Sequence, residues 1–582
     1  MANETKIPLF RRFVIQNFPY IEQDFDALTD YQLISKIVEY LNKVIESQNG
    51  LVDDMNELET AFNTLKDYVD HYLDNLDVQE EINNKLDAMV EDGTLTELIT
   101  PLVQEDIEEL TTEVNEALDS ANDALTEAQT LNAKADKVLS NSINDIRKKY
   151  YPRYTQFNLP ENITDSFFDD FEILTNNEGK YVVNFKESKY INQGGTTYYI
   201  APDGVNADDG SYEHPWYTLN SAIGKMQAGD TLIFKNGLYS RTNLQLSESG
   251  NTITKSINIK GESKDGVFLT SADYNFSWLQ NETYSDVYET TRSNVRQVID
   301  ITRKDEGVFL LLTNVNSLEA VHNTENSWYQ NGNTIYVHMY DDVVPSPSNI
   351  LLGLYLGYSP LVAILASDAT LYFSDFTIID GDRSGITCKA GGHNVTVFID
   401  NVDIYNVTCN GYSRDAFSNL GCKSICRNVK IGNVGKDGFN YHIEGTSQLQ
   451  AIGIEIDCTC FDCGYRQSSG GDHTSNNATT AHEASQIVRV NGMYGYCYGA
   501  VVADVDSVNS VMLGCQAMDG YGTYDYDVLA QTNTVMYLYD CNFVGSRSTK
   551  NLVTSGTNAY IYYNDKTTFD TTNGHVLPIP TE

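Results

Sequence analysis

The sequence is poor in positive charge: 38 lysines and arginines stand against 81 aspartates and glutamates, a formal net charge of −43 over 582 residues. A protein that grips nucleic acid neutralises phosphates with clustered Lys and Arg, and one that docks on an anionic membrane needs similar clusters. Neither partner is expected. No run of 18 or more apolar residues occurs, so membrane insertion is not expected either. The N-terminus also lacks the positive-then-apolar order of a secretion signal, which predicts an unexported chain. Cysteine is missing from most of the sequence, all ten residues falling between Cys388 and Cys541. With 41% hydrophobic and 11% aromatic residues, the chain can nonetheless build a core.

What is present is unevenly placed. Residues 1–150 carry 32 acidic and 12 basic side chains, whereas the other 432 carry 49 and 26. Glycine, tyrosine and cysteine concentrate in the later part, so two architectures meet near residue 150. From Ile34 a seven-residue beat runs through Ile34, Leu41, Gln48, Met55, Phe62, Val69 and Leu76 in one series. Ile37, Val44, Leu51, Leu58, Leu65 and Tyr72 form the other. Sustained heptads predict a left-handed coiled coil, with the polar Gln48 able to fix its register. The beat falters at Gly93 and Pro101, then resumes with an alanine-rich seam from Ile107 to Val138. An intramolecular helical hairpin is the alternative, and the residues do not set the number of strands. The aromatic-rich first thirty residues, with Arg11-Arg12, read as an anchor that docks into another protein.

The segments FPYIEQDFDALTDYQLISKIVEYLNKVIESQN and NLDVQEEINNKLDAMVEDGTL resemble the N-terminal module of tail fibres and tail appendages in phages of Gram-positive bacteria. The resemblance covers about residues 5–100. It implies attachment to other virion tail proteins and a homo-oligomer, with a trimer favoured.

After residue 150 the pattern changes to short β segments split by Gly, Asn and Asp. Residues 198–246 predict a short helix (Leu219 to Met226), a Gly229-Asp230 turn and two strands, Thr231–Phe234 and Leu244–Leu246. This order resembles the opening of pectate-lyase-like right-handed β-helices, in which a helix caps the first coil. A cap shields the apolar core and strand edges that an open solenoid end exposes. Phe376, Val402 and Val429 recur at spacings of 26 and 27, and Cys515 and Cys541 at 26. A period in the twenties predicts stacked coils. Residues 274–345 break the rhythm, and NSWYQNGNTIYVHMYDD reads as a hairpin turning at Asn331-Gly332. Cys458-x-Cys460-x-x-Cys463 lacks a second pair at zinc-site spacing. Buried ladder thiols are expected, with metal ligation and disulfides as alternatives. Asp203-Gly204 and Asp208-Asp209-Gly210 read as turns near the cap.

The expected fold class is therefore mainly β, a right-handed parallel β-helix preceded by an α-helical coiled-coil stalk. Its expected parts are a virion anchor (1–30), the stalk (31–149), a neck (150–197) and the β-helix (198–582) with the insertion.

Chemistry is expected where three of the nine histidines fall, between residues 442 and 482. Strand alternation over 437–444 places Phe439, Tyr441 and Ile443 inward and Asn440, His442 and Glu444 outward. Over 500–506 it places Val501, Ala503 and Val505 inward and Val502, Asp504 and Asp506 outward. Between these strands lies a Gly/Ser/Asn-rich excursion, Gly464–Glu483, carrying Asp472, His473, His482 and Glu483. Outward carboxylates and imidazoles on neighbouring coils suit a glycan cleft, because two carboxylates, or a histidine near pH 7, supply acid and base. The candidate catalytic residues are Asp437, His442, Glu444, His482 and Asp504. The candidate ligand-binding residues are Tyr441, Asp472, His473, Glu483, Arg489 and Asp506. No metal or other cofactor is expected.

The block DHTSNNATTAHEASQIVRVNGMYGYCYGAVVADV, with KDGFNYH, resembles β-helical phage tail and surface proteins. This implies a functional groove without a defined reaction. The expected function is a tail spike or appendage of the virion that recognises, and as a depolymerase (hydrolase or lyase) degrades, a bacterial surface polysaccharide such as capsule or wall teichoic acid. A non-catalytic receptor-binding fibre is the alternative. For the stalk, a fragment of residues 30–147 is expected to sediment as an oligomer, and a monomer at sedimentation equilibrium would overturn the coiled-coil reading.

Overall fold

The computed structural model describes residues 154–580, apart from 177–178, 245–252, 306, 356, 408–414, 446, 465–475 and 546. The expected anchor and stalk lie outside the described residues. So do Asp472, His473 and Cys409. Among the described residues, no helix is long and apolar enough to cross a membrane.

Three long sheets of parallel strands make the solenoid, with 12, 9 and 8 strands. One coil shows the pattern. Lys423–Arg427 lies in the twelve-stranded sheet, Lys430–Val434 in the eight-stranded sheet and Phe439–His442 in the nine-stranded sheet. The next coil repeats it with Ile452–Ile456, Thr459–Cys463 and Thr479–Ala481. Each strand hydrogen-bonds in register to its equivalents above and below, as in Phe417↔Phe439↔Thr479↔Val502. Backbone donors and acceptors are thereby satisfied between coils.

Inside, like stacks on like. One inward column of the twelve-stranded sheet reads Ile259, Phe373, Ile399, Cys426, Glu455, Arg489, Met512, Leu538. Phe376, Val402 and Val429, the repeated positions, are all in the main core, and so are Cys515 and Cys541. The nine described cysteines are buried and unbridged. Burial raises the thiol pKa of eight of them, to about 11 at Cys460, which keeps those thiols protonated.

At the N-terminal end a helix, Leu219–Lys225, buries Leu219, Ala222 and Ile223 in the same core. Thr218 caps it by accepting from the Ser221 N–H. The preceding turns pin Trp216, whose indole N–H donates to the Asp208 carbonyl at 2.8 Å. Gly210 has φ +81° and lies so close to the indole that a Cβ would overlap it. The strand Thr231–Phe234 forms as expected. Leu244 instead closes a short helix, Arg241–Leu244, and the strand of that coil in the eight-stranded sheet is Gly237–Tyr239.

Between Leu269 and Leu361 the coil is interrupted by sheets of five and three strands, antiparallel except where Thr313–Asn314 pairs with Ser327–Asn331. The hairpin Ser327–Asn331/Thr334–His338 pairs Asn331 with Thr334, so its two turn residues are Gly332 and Asn333. The insertion has its own core around Val298, Trp328, Ile335, Val337 and Leu352. It is fastened to the solenoid by Arg296, which pairs with Asp380 and Asp382, and by Gln297, which donates to Asp380 and to the Asn406 carbonyl.

Residues 154–192, expected as a neck, run along the outer face of the twelve-stranded sheet against the direction of coil stacking. Phe157 packs edge-on to Tyr539, Thr164 donates to Gln486, Asp165 pairs with Lys423 and Glu187 with Arg427. Asn192 bonds to Asn258 and Thr370. This strap buries Phe167, Phe168, Phe171 and Tyr190 with Phe398, Ile425, Ile454, Val488 and Val511. The outward positions of that sheet are apolar because the chain itself covers them.

Arg489 is the largest fully buried side chain. Its guanidinium makes two 2.8 Å bonds to Asp504 and one of 3.0 Å to the Thr479 hydroxyl. Glu455 joins the network 3.8 Å from Arg489, accepting from Tyr494 and Thr479. Removing one member of such a network strands the others without solvent. Arg489→Met is therefore expected to cost about 3–5 kcal/mol in urea unfolding. A change below about 1 kcal/mol would show that the network contributes nothing.

Candidate functional site

The outward face of the nine-stranded sheet carries the expected cluster, though not all of its members. Phe439 and Tyr441 point into the core, and Asn440 and His442 point out. Because Tyr441 pairs with Ala481, residues 442 and 482 fall side by side on adjacent coils, and the His482 N–H donates to the Tyr441 carbonyl at 2.9 Å. The two imidazoles stack with centroids 4.0 Å apart and planes 11° from parallel. Glu483 (φ +47°) and Ala484 (φ +59°) both adopt the left-handed conformation, which turns the Glu483 carboxylate back to 2.9 Å from His442 Nδ1. His482 Nε2 lies 3.3 Å from the Thr480 hydroxyl. Burial, then the neighbouring His442 and Lys436, lowers the His482 pKa to about 3, so this ring is neutral at physiological pH. Nitrogen and oxygen donors of His442, His482 and Glu483 all lie within 4.8 Å of one another, a spacing able to hold a metal ion.

Beside the histidines, at the corner that leads into the strand, Asp437 accepts from the Asn477 N–H at 2.8 Å and from Asn440 at 3.0 Å. Lys436 stands 3.4 Å from Asp437 and 4.0 Å from Asp415 of the previous coil. Gly438 permits this corner, since a Cβ there would strike Cys460 Sγ and the Ala478 carbonyl. Burial raises the Asp437 pKa to about 7, Lys436 opposing and Asp415 reinforcing the shift. Asp437 is thus a carboxyl that keeps its proton up to neutrality. One carboxylate oxygen of Asp415 and the amide oxygen of Asn440 are buried without hydrogen-bond partners.

Four expected site residues are corrected. Asp504 is 0% exposed and faces inward, paired with Arg489, which is equally sealed. The strand at 502–505 is in register with Thr479 and Ala481, so Val502 and Asp504 point in and Ala503 and Val505 point out. That is one residue out of phase with the expectation, and such a slip exchanges the two faces. Glu444 lies beyond the strand's end at His442 and is covered by the turn that follows: it accepts from the Ser447 N–H at 2.7 Å and pairs with Lys389 at 3.1 Å. The Ser447 hydroxyl and N–H, with Lys389, hold its pKa near 2 against the effect of burial. Tyr441 and Arg489, expected to touch ligand, are interior. Asp506 is exposed, its carbonyl accepting from the Ala484 N–H. The structure therefore gathers Asp437, His442, His482 and Glu483, with Asp506 at the rim, and adds Lys436, Asn440 and Asp415.

The sequence reading passed over two features of the insertion. A cleft of about 1010 Å³ is lined by Arg296, Asn314, Trp328, Tyr329 and Tyr355, among others. Elsewhere in the insertion Asp286, His322, His338 and Asp342 meet, with His322 Nδ1 2.8 Å from Asp286 and His338 Nε2 3.0 Å from Asp342. The only sequence signal was two of the nine histidines within a segment read as a structural interruption.

No protein-family model matches this chain, and no curated protein does. Solved structures similar to it include a complex of XylC with xylose (12% identity, TM-score 0.37, 65% of this chain and 69% of that one). The pectate lyase Pel9A is similar at 13% identity and a TM-score of 0.30, over 65% and 79% of the two chains. The receptor-binding protein of bacteriophage Det7 is similar at 10% identity and 0.23, over 66% and 76%. At these identities and scores the likeness carries no argument about activity.

Two outcomes follow from the geometry. Glu444→Gln removes the ion pair with Lys389, so it should lower the melting temperature, and more at pH 7 than at pH 2, where the wild-type carboxylate is itself becoming protonated. Equal losses at both pH values would contradict the assignment. For Asp437 the sign is opposite. The unfolded chain releases this proton near pH 4 and the folded chain near 7, so its contribution to stability falls as pH rises between them. Asp437→Asn should therefore gain melting temperature relative to wild type between pH 4 and pH 8, and a pH-independent difference would contradict the raised pKa.

Proposed function

We propose that this chain is a virion tail appendage of a phage of Gram-positive bacteria, and that the outward wall formed by Lys436, Asn440, His442, His482 and Glu483 binds a bacterial surface glycan. The observation that carries the reading is this row of polar side chains on a rigid parallel sheet. Cation, imidazole and carboxylate are part-exposed across two coils, with the buried Asn440 amide between them, and the core-forming sequence holds them there. Glycan hydroxyls are matched by such mixed donors and acceptors, and an acidic wall polymer by Lys436. The resemblance of residues 5–100 to tail attachment modules supports the virion location and the trimer, with the right-handed solenoid facing the cell.

Depolymerisation is the second reading, and Asp437 favours it. A carboxyl that keeps its proton to about pH 7, near a second carboxylate, Asp415, has the acidity to protonate a glycosidic oxygen; Asp437 is 2% exposed, so this reading requires the Lys436–Asn440 corner to open before substrate can reach it. Glu444 and Asp504 are committed to ion pairs and leave Asp437 as the candidate acid.

The test incubates the full chain with purified wall teichoic acids and capsular polymers of Gram-positive bacteria, measuring binding and new reducing ends or unsaturated sugars. Binding to at least one polymer is expected, weakened at least tenfold by the double substitution Lys436→Ala/His442→Ala. Undiminished binding by that variant would move the site elsewhere. Product formation that Asp437→Asn abolishes without loss of binding would establish cleavage. Binding with no product from any polymer would leave adhesion as the function.

A further inference from the structure

We infer that His442, His482 and Glu483 form a binding site for a first-row divalent transition-metal ion of the zinc or cobalt type. The inference is independent of the glycan reading, because it needs only these three side chains.

The donor set comes first. Two imidazoles and one carboxylate are the protein ligands of a mononuclear site that keeps positions open for water or substrate. Imidazole nitrogen suits zinc, copper, nickel and iron, whereas calcium and magnesium prefer all-oxygen shells. The three donors lie within 4.8 Å of one another, and the His442–Glu483 pair is already at 2.9 Å. Zinc held tetrahedrally at ~2.1 Å from each nitrogen separates two nitrogens by about 3.4 Å. The rings now stack 4.0 Å apart and 11° from parallel, so their in-plane nitrogen lone pairs run side by side, and one imidazole must turn about its side-chain torsions for both to converge on one ion.

The backbone argues the same way. His442 closes one strand and His482 directly follows the strand stacked on it, so the pair is held by the hydrogen-bonded register of two adjacent coils. Glu483 reaches them through the left-handed pair Glu483–Ala484, a turn that recurs as Asp506–Ser507 and Thr532–Asn533 in the following coils. Without an ion, the turn places a carboxylate against one imidazole of a stacked pair. With one, it completes a chelate. The ligands are also reachable, since the side chains of His442 and Glu483 are 30% and 38% exposed. The open positions of the ion would face solvent on the same wall as Lys436.

The test uses the full chain, stripped with chelator and titrated with cobalt(II) at pH 7.5, following the visible d–d absorption and calorimetric stoichiometry. One ion per chain is expected at this site, displaced by zinc(II) and not by a hundredfold excess of magnesium or calcium. Glu483→Gln and, separately, His442→Gln should each weaken that binding at least tenfold. Asp342→Asn, which alters the separate Asp286–His338–Asp342 cluster of the insertion, should leave it unchanged. The absence of a cobalt spectrum, or a spectrum unaffected by both site variants while thermal unfolding shows them folded, would overturn the inference. A spectrum lost only in Asp342→Asn would place metal binding in the insertion and likewise overturn it.

Discussion

Each coil of this solenoid leaves the backbone donors and acceptors of its strands unsatisfied until another coil is laid on it in register. That one constraint decides everything built on the frame. A parallel strand pairs residue for residue with its neighbour, so the phase of one strand fixes the phase of the next, and a side chain's face is inherited along the sheet. The inward columns are apolar for most of the stack and then admit Glu455 and Arg489 at successive levels. Asp504, from the opposite sheet, completes the pairing. The same inheritance places His442 against His482 although forty residues separate them in sequence.

Much of the described fold could be read before any coordinates. The 26–27-residue beat, the capping helix and the burial of the cysteines all follow from composition and spacing, because stacking demands the same apolar residue at the same place in each turn. The inward phase of Phe439 and Tyr441 was also readable, since they alternate with polar neighbours. Ala500 to Ala503 offers four small apolar residues in a row, which carry no phase, so the orientation of Asp504 could not be read there. It is set by pairing with Thr479 and Ala481 across an excursion whose length hides the register. Glu444 was misplaced for a different reason. Alternation was continued past His442, where the strand stops and the chain turns over the carboxylate.

Charge on this chain therefore has three distinct fates among the described residues. Some is locked inside, as with Arg489 and Asp504, where it specifies the pairing of sheets at a high cost of disruption. Some fastens separate elements, as Arg296 does between insertion and solenoid and Lys423 and Arg427 do beneath the strap. A small remainder stays on the open wall, where Lys436, His442 and Glu483 are part-exposed, with Asp437 buried beneath Lys436. The strap matters to that last group indirectly. By covering the outer face of the twelve-stranded sheet, it leaves the polar wall of the nine-stranded sheet as the surface on which those outward groups are displayed.

The most direct measurement of the central claim is a crystal structure of the protein with an oligosaccharide from a polymer that it binds. The account predicts saccharide density on the outward wall, with Lys436, His442 and Glu483 in hydrogen-bonding contact and Asp437 beneath them. Saccharide confined to the cleft of the insertion, with that wall bare, would contradict it.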